Sequence, residues 1–453
     1  MKAIAAPRPL VEHNARVAAL PKGAPADMEG VAFPSSMQGW VESLPDDLLQ
    51  VVSIISESGG GVWIVGGSVR QGLSGVESQE YDLTTNLKPE QIIEQFGVSN
   101  SIDVGAKYGT VAVRVRSGGE FYEITTLRCD QEYLDGRRPD SVIFGNSLLE
   151  DLERRDLTIN AMAVDLSRQL LYDPFDGYQD LQNGVLSAVG SAPTRLSEDG
   201  LRVMRAYRFM DQGDAGFWSP DDDLASGLRD CQYMLKNVSV ERIWQELRRI
   251  LAGVHASLVL EKMSDDGVLA TIFSGHEYDL KGQAKLGEIS GDEMVVARLA
   301  MMFRVGDASA LMKRLTMSKV IMTGVNELSR SLSHLPDANS ASELRLYRAV
   351  MGGRLNQQLA CESALATNGI DEVITSLTSL PANVAGNSPL ADGNWIAEVT
   401  GLSMGIKLGR LKEWLHRIQI EEDLPTLAEV EVRLGQVAWQ DGEPKEWPRI
   451  RWP

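Results

Sequence analysis

The chain carries a short apolar run, Val62-Trp63-Ile64-Val65, that ends at paired glycines, Gly66 and Gly67. Such a run reads as a buried strand, and the glycines close it with a turn that lets the backbone approach a ligand without a Cβ in the way. Arg70 follows and directs a guanidinium toward that turn. Glu80-Tyr81-Asp82 then opens a second extended stretch. Strand alternation places Glu80 and Asp82 on one face and Tyr81 on the other. Two hard oxygen donors beside a phosphate-sized glycine turn suit Mg²⁺ and a nucleoside triphosphate. Acidic pairs are common on solvated edges, so this one carries weight only through its spacing from the glycine turn.

Further motifs follow in order: Tyr122-Glu123-Ile124-Thr125-Thr126-Leu127-Arg128, Leu152-Glu153-Arg154-Arg155-Asp156-Leu157-Thr158-Ile159-Asn160-Ala161, Asp173-Pro174-Phe175-Asp176-Gly177, and Glu198-Asp199-Gly200-Leu201-Arg202-Val203-Met204-Arg205-Ala206. The glycine turn with its carboxylates resembles the polymerase-β-like nucleotidyltransferases. The whole series resembles the class II (bacterial and eukaryotic) tRNA nucleotidyltransferase and bacterial poly(A) polymerase family, densely from about residue 60 to 260 and thinly beyond. The resemblance implies template-independent addition of C, C and A to the 3′ end of tRNA from CTP and ATP, by two-metal nucleotidyl transfer with pyrophosphate release.

The resemblance also implies roles for individual residues. Glu80 and Asp82 are catalytic and hold Mg²⁺. Glu80 stands where the family usually has Asp, but keeps the ligand type. Gly66, Gly67 and Arg70 grip the triphosphate. Gln71 replaces a usual Asp, which puts a local salt bridge in doubt rather than the catalysis. Arg155, Asp156 and Asn160 match the motif that contacts ribose and phosphates. Asp156 would favour NTP over dNTP as a ribose-hydroxyl acceptor; its plain alternative is capping of the Leu157-Thr158 turn. Glu123 is either a third acid near the metals or the partner of an arginine.

Asp199 and Arg202 stand at i, i+3 on a predicted helix opened by Ser197-Glu198-Asp199 and so share a side. A carboxylate accepts and a guanidinium donates. Cytosine and adenine each present an amino donor beside a ring-nitrogen acceptor, whereas guanine and uracil present the opposite sense. One Asp–Arg pair can therefore accept C and A and reject G and U. The plain alternative is an intrahelical ion pair. Arg205 shares the stripe and would buttress the pair or touch phosphate.

A net charge of -19 opposes RNA binding unless charge is segregated. Arg137, Arg138, Arg154, Arg155, Arg195, Arg202, Arg205 and Arg208 gather in the motif region, whereas Asp221-Asp222-Asp223 and Glu421-Glu422-Asp423 lie elsewhere. The three cysteines show no paired spacing and read as free thiols in a reducing cytosol. No stretch is apolar for the length of a bilayer, which predicts a cytoplasmic protein without a membrane partner or an implied protein partner. Five histidines form no metal-ligand cluster, so no phosphohydrolase module is expected.

The predicted fold class is α+β. Residues 1–40 read as a poorly ordered N-terminal extension, with a short amphipathic helix over 9–20. Residues 41–190 read as the catalytic head, a polymerase-β-like unit with a small mixed, largely antiparallel sheet. Residues 191–265 form a helical neck that recognises the base, and 266–453 a helical body and tail that bind tRNA. Residues 130–147 match the flexible loop of the full CCA-adding type, which CC-adding relatives shorten. The alternatives left open are an A-adding enzyme and a poly(A) polymerase, with a catalytically inactive RNA-binding protein more remote.

Overall fold

The computed structural model describes residues 15–129, 143–287, 289 and 291–453. Two compact units emerge: Met1–Ile250 with Lys262–Ile272, and Leu251–Glu261 with Phe273–Pro453. Most of the residues expected as separate head and neck thus share the first unit, while 251–261 fall in the second. The loop expected over 130–147 lies outside the described residues up to 142, as does the start of the helix expected over 9–20.

The first unit is built on an eight-stranded sheet. Its strands are β1 (Val31–Ala32), β2 (Val62–Val65), β3 (Asp82–Thr85), β4 (Ser101–Gly105), β5 (Thr110–Val113), β6 (Tyr122–Thr126), β7 (Ala163–Asp165) and β8 (Leu170–Tyr172). They lie in the order β1-β8-β7-β2-β3-β6-β5-β4, with β3 and β6 parallel and every other pair antiparallel. The sheet is mixed, and larger than the small one expected. All four residues of β2 are buried, so the strand has a core on each face. Val62 and Ile64 pack with Val52, Ile55, Val69 and Ile124 on one side. Trp63 and Val65 pack with Leu148, Leu152 and Tyr172 on the other.

Helix α1 (Asp46–Glu57) covers the first face with Leu48, Val51, Val52 and Ile55. Helix α2 (Gly67–Leu73) starts directly after β2 and inserts Val69 and Leu73 into that core. Helix α3 (Leu148–Glu153) brings Leu148 and Leu152 to the second face. The chain then enters α4 (Ala192–Glu198), α5 (Leu201–Met210) and later α6 (Val240–Leu251).

Two sequence expectations change here. Residues 15–40 are packed rather than poorly ordered: β1 pairs with β8, and Val17, Phe33, Met37 and Trp40 are buried in the main core. The second concerns the helix expected to start at Ser197. The chain makes two helices, with Asp199 between them in extended backbone (φ -145°, ψ 110°). Gly200 after it is already in helical backbone, and a Cβ there would come within 2.4 Å of the Met234 carbonyl oxygen, so the close packing at this position requires glycine.

Among the described residues of the second unit every regular element is a helix. One core gathers Leu344, Tyr347, Met351, Val373 and Leu377, with Trp452 packed against it. Another gathers Ile396, Leu408, Leu411, Leu415, Val430, Leu434 and Trp447. No helix among the described residues is long and apolar enough to cross a membrane.

Candidate active site

The site starts where β2 ends. Gly66 has φ +74° and ψ -133°, a conformation that L side chains rarely adopt. A Cβ on it would sit 3.4 Å from Asp82 Oδ2, so the carboxylate lies directly against the turn. Asp82 is the first residue of β3 and pairs in register with Val65 on one side and Glu123 on the other. Registered residues on neighbouring strands share a face, so Glu123 flanks Asp82. Glu80 lies just before the strand and, like Asp82 and Glu123, meets solvent, while Tyr81 is buried. Among the described residues Glu123 makes no ion pair. Partial burial raises the Asp82 carboxyl above its ordinary value; Arg155 opposes that rise and Glu80 adds to it. Solvent reaches Asp82, yet the protein around it removes enough water to disfavour the charge.

A chain of polar contacts runs from the glycine turn to α5. Arg70, on α2, donates to Asn160 Oδ1. Asn160 Nδ2 donates to Asp156 Oδ1 at 2.9 Å, and Arg205 Nε donates to Asp156 Oδ2 at 2.6 Å. Asp156 also accepts from the Leu157 N–H at 2.9 Å, the turn cap that the sequence offered as its plain role. Burial alone would raise the Asp156 carboxyl; Arg205, Asn160 and the backbone N–H bring it down to about 2. Burial lowers Arg70 to about 10; Asp156 opposes this, and Arg208 and Arg205 add repulsion. Three guanidiniums lie over one ring: Arg208, Arg70 and Arg205 stand 4.2, 5.0 and 5.5 Å from the Phe209 centroid. Each faces the negative π cloud. Arg208 also pairs with buried Glu246 at 2.5 Å.

A second network leads from α3. Buried Asp151 binds Arg154 at 2.7 Å and Arg155 at 3.2 Å. Arg155 Nη1 donates to the Asn160 carbonyl at 3.3 Å. Arg202 Nη2 donates to the Arg154 carbonyl at 2.7 Å, and its Nη1 to Glu198 and, at 2.9 Å, to the Arg195 carbonyl. Asp199 caps the start of α5 by accepting from Leu201 N–H at 3.0 Å and pairs with Arg242 of α6 at 2.9 Å. The simple Asp199–Arg202 ion pair is therefore not formed.

Residues 62–187 match the family model "Poly A polymerase head domain". Residues 219–280 match "Probable RNA and SrmB- binding site of polymerase A". A CCA-adding enzyme of Lactococcus lactis subsp. cremoris (strain MG1363) is 44% identical over 217 residues, 47% of this chain and 52% of that protein. The chain thus spans about half the length of that relative. The CCA-adding enzyme of Streptococcus sanguinis (strain SK36) is 30% identical over 401 residues, 85% of this chain and 96% of that one. The chain belongs to the CCA-adding enzyme family. In fold it resembles the Bacillus stearothermophilus CCA-adding enzyme solved in complex with CTP, with TM-score 0.67 and 24% identity over 86% of this chain and 97% of that one. The Thermotoga maritima CCA-adding enzyme complexed with tRNA gives TM-score 0.64 and 20% identity over 88% and 98%.

Within this family member, Gly66, Gly67 and Asp82 adjoin at the end of β2 with Glu80 just before β3; Arg70 on α2 is linked through Asn160 and Asp156, on the segment between α3 and β7, to Arg205 on α5, Arg155 acts on Asp82, and Asp199 and Arg202 are held in the second network. Gln71 is exposed on α2. Sequence reasoning missed Phe209, Asp151, Glu198, Arg242 and Glu246. For two of these a signal existed: Asp151 to Arg154 and Arg155, and Glu198 to Arg202, are i, i+3 or i, i+4 spacings. Phe209 stands four residues after Arg205 on α5, so part of its contact was readable from spacing, whereas Arg70 reaches it from a different helix.

Proposed function

We propose that this protein adds C, C and A to the 3′ end of tRNA, using CTP and ATP and releasing pyrophosphate. The observation that carries this reading is the contact of Asp82 with the Gly66 turn, in register with Glu123. A carboxylate and a Cβ-free backbone bend adjoin, as a metal-bound triphosphate requires.

Glu80 and Asp82 are exposed oxygen donors and would hold Mg²⁺; Glu123 lies in register with Asp82 on the neighbouring strand, but the described residues do not gather these acids into a group of three potential ligands, so phosphate oxygens and water would have to complete the coordination. Two divalent ions there would lower the pKa of the attacking 3′-hydroxyl and offset charge on the departing pyrophosphate. Gly66 and Gly67 let the triphosphate approach the backbone. Arg70, Arg205 and Arg208 place three cations against Asp156 and Glu246, an excess that favours a polyanion. Arg155 steadies the charge on Asp82. Asp156 and Asn160 contact the ribose, and Asp199 with Arg202 reads the base edge. The Glu198 and Arg154 contacts hold Arg202 ready, while Asp199 keeps part of its carboxylate in solvent. The second unit would bind the tRNA body.

The test supplies purified protein with tRNA transcripts ending at the discriminator base, at -C-C and at -C-C-A, and reads each labelled NTP separately. Two C and one A on the first, A alone on the second, and nothing on the third support the reading. A alone on every end, or an extended A tail, would replace it with A-adding or poly(A) synthesis.

A further inference from the structure

Asp27 lies ahead of the head-domain match, between a short helix at Ala15–Ala18 and β1. Its carboxylate reaches the start of α3. Oδ1 accepts the backbone N–H groups of Leu148 at 2.8 Å and Leu149 at 3.3 Å, and Oδ2 accepts the Ser147 hydroxyl. Ser147 Oγ in turn accepts from Glu150 N–H at 3.0 Å. The first N–H groups of a helix have no partner within it, and here a residue distant in the chain supplies one.

Asp27 is held from both sides. β1 follows it into the sheet. Before it, Arg168 donates to the Gly23 carbonyl at 2.6 Å, and a Cβ on Gly23 would come within 1.9 Å of the Gly60 carbonyl oxygen. Burial alone would raise the Asp27 carboxyl; the Ser147 hydroxyl and the backbone N–H groups outweigh it and favour the charged form.

What α3 positions is the site itself. Asp151 on α3 fixes Arg154 and Arg155, and the Arg154 carbonyl receives Arg202 Nη2. A contiguous set of contacts therefore runs from Asp27 through α3 to the arginine proposed to read the base.

We propose that Asp27 is a positioning residue for nucleotide choice: by capping α3 it sets the Arg154 carbonyl against which Arg202 is aligned. The segment before the head thus acts on selection without touching substrate. This rests on the base-reading role given to Arg202 above. Simple anchoring of the segment would contribute stability alone.

The test compares Asp27→Ala and Asp27→Asn in the full chain. Asp27 is exposed, so neither change opens the core. Ser147 remains the N-cap of α3 in both variants; Asn keeps an oxygen for the Leu148 and Leu149 N–H groups, whereas Ala removes that acceptor, a loss worth about fivefold in an opening equilibrium. Exchange of the Leu148 and Leu149 amides should therefore speed up about fivefold in Asp27→Ala and stay near wild type in Asp27→Asn. CTP and ATP should then lose several-fold of their preference over UTP and GTP in Asp27→Ala, with Asn restoring it. Unchanged nucleotide preference in a well-folded Asp27→Ala protein overturns the proposal, whether or not α3 loosens. So does equal loss in both variants. Should the Ala variant fail to fold, Asp27→Glu shifts the cap by one methylene and must also lower selectivity. A wild-type protein without preference for C and A would instead sink the base-reading role itself.

Discussion

The Arg202 amide donates to the Asp199 carbonyl at 2.9 Å, yet the two side chains answer to different partners. Asp199 is bound by Arg242 and the Leu201 N–H, and Arg202 by Glu198 and the Arg154 and Arg195 carbonyls. Each is thereby oriented by a neighbour rather than collapsed onto the other. An acceptor and a donor held apart can address two atoms of one base edge, but each is already in an ion pair, so reading a base would mean sharing or exchanging the Arg242 and Glu198 contacts.

Arg202→Ala should therefore relax base choice more than it weakens RNA binding. Each lost hydrogen bond to a base should cost about 1–3 kcal/mol of discrimination. Competition among CTP, ATP, UTP and GTP on one tRNA measures it. Unchanged preference with weaker tRNA affinity would assign Arg202 to phosphate instead. Arg242→Ala should have a smaller effect in the same assay, because it frees Asp199 without removing it.

Asp82→Asn should abolish nucleotide addition with the fold intact. The carboxylate meets solvent at a strand start, and the amide keeps its shape but loses the charge a cation needs. Near-normal turnover by a well-folded variant would refute the metal-binding role. Glu80→Asp should be tolerated, since it keeps an acidic oxygen donor and restores the residue usual in the family. Complete loss of activity there would show a site adapted to the longer side chain.

The parts of this site that were legible in the sequence are those fixed by local chemistry. The Gly66 turn follows from two glycines after an apolar run, and the shared face of Glu80 and Asp82 is read from strand alternation; the pairing of Asp82 with Glu123 is a register between two strands that alternation alone does not set. Tertiary contacts account for the rest. The break falls at Asp199, next to Gly200 packed against the Met234 carbonyl, a tertiary contact that no spacing reveals. The place of Arg70 over Phe209, beside Arg205 and Arg208 of α5 itself, depends on α2 meeting α5. Residues 15–40 looked irregular because they are rich in Ala and Pro, but Phe33, Met37 and Trp40 recur at near-helical intervals and all three are buried. That apolar spacing was the available signal for a packed segment.

Asp156 should make folding of the first unit acid-sensitive. Its folded carboxyl sits at about 2, below the ordinary aspartate value of about 3.9. A depressed carboxylate contributes its stability fully above its unfolded value and loses it as pH falls through the folded one. The window is therefore about pH 4 down to 2, and the contribution is on the order of 2 kcal/mol. Asp156→Asn should be less stable than wild type at pH 6 by a similar amount, with the gap closing toward pH 2. Denaturant unfolding at several pH values measures the difference, and a gap independent of pH would show that shape rather than charge matters.

Glu362, in the second unit, should behave in the opposite sense. It is fully buried and accepts from Ser333 N–H at 2.8 Å, Gln358 at 3.0 Å and the Thr367 hydroxyl at 2.5 Å. Burial raises its carboxyl, and these donors only partly offset the rise. A raised acid contributes stability that is complete below its unfolded value and is lost as pH climbs through the folded one. Near neutral pH the charged form is thus a burden that the surrounding donors reduce. Glu362→Gln keeps an acceptor for Ser333 and Gln358 and removes the charge, so it should match or exceed wild type at pH 7 by up to about 1 kcal/mol, with the advantage shrinking toward pH 4. Glu362→Ala leaves the Ser333 N–H unpartnered beside a cavity and should cost roughly 2–4 kcal/mol at either pH. Unfolding curves at the two pH values, with exchange of the Ser333 amide as a local probe, separate the cases. If Gln destabilised as much as Ala at pH 7, the charge itself would be holding these helices together.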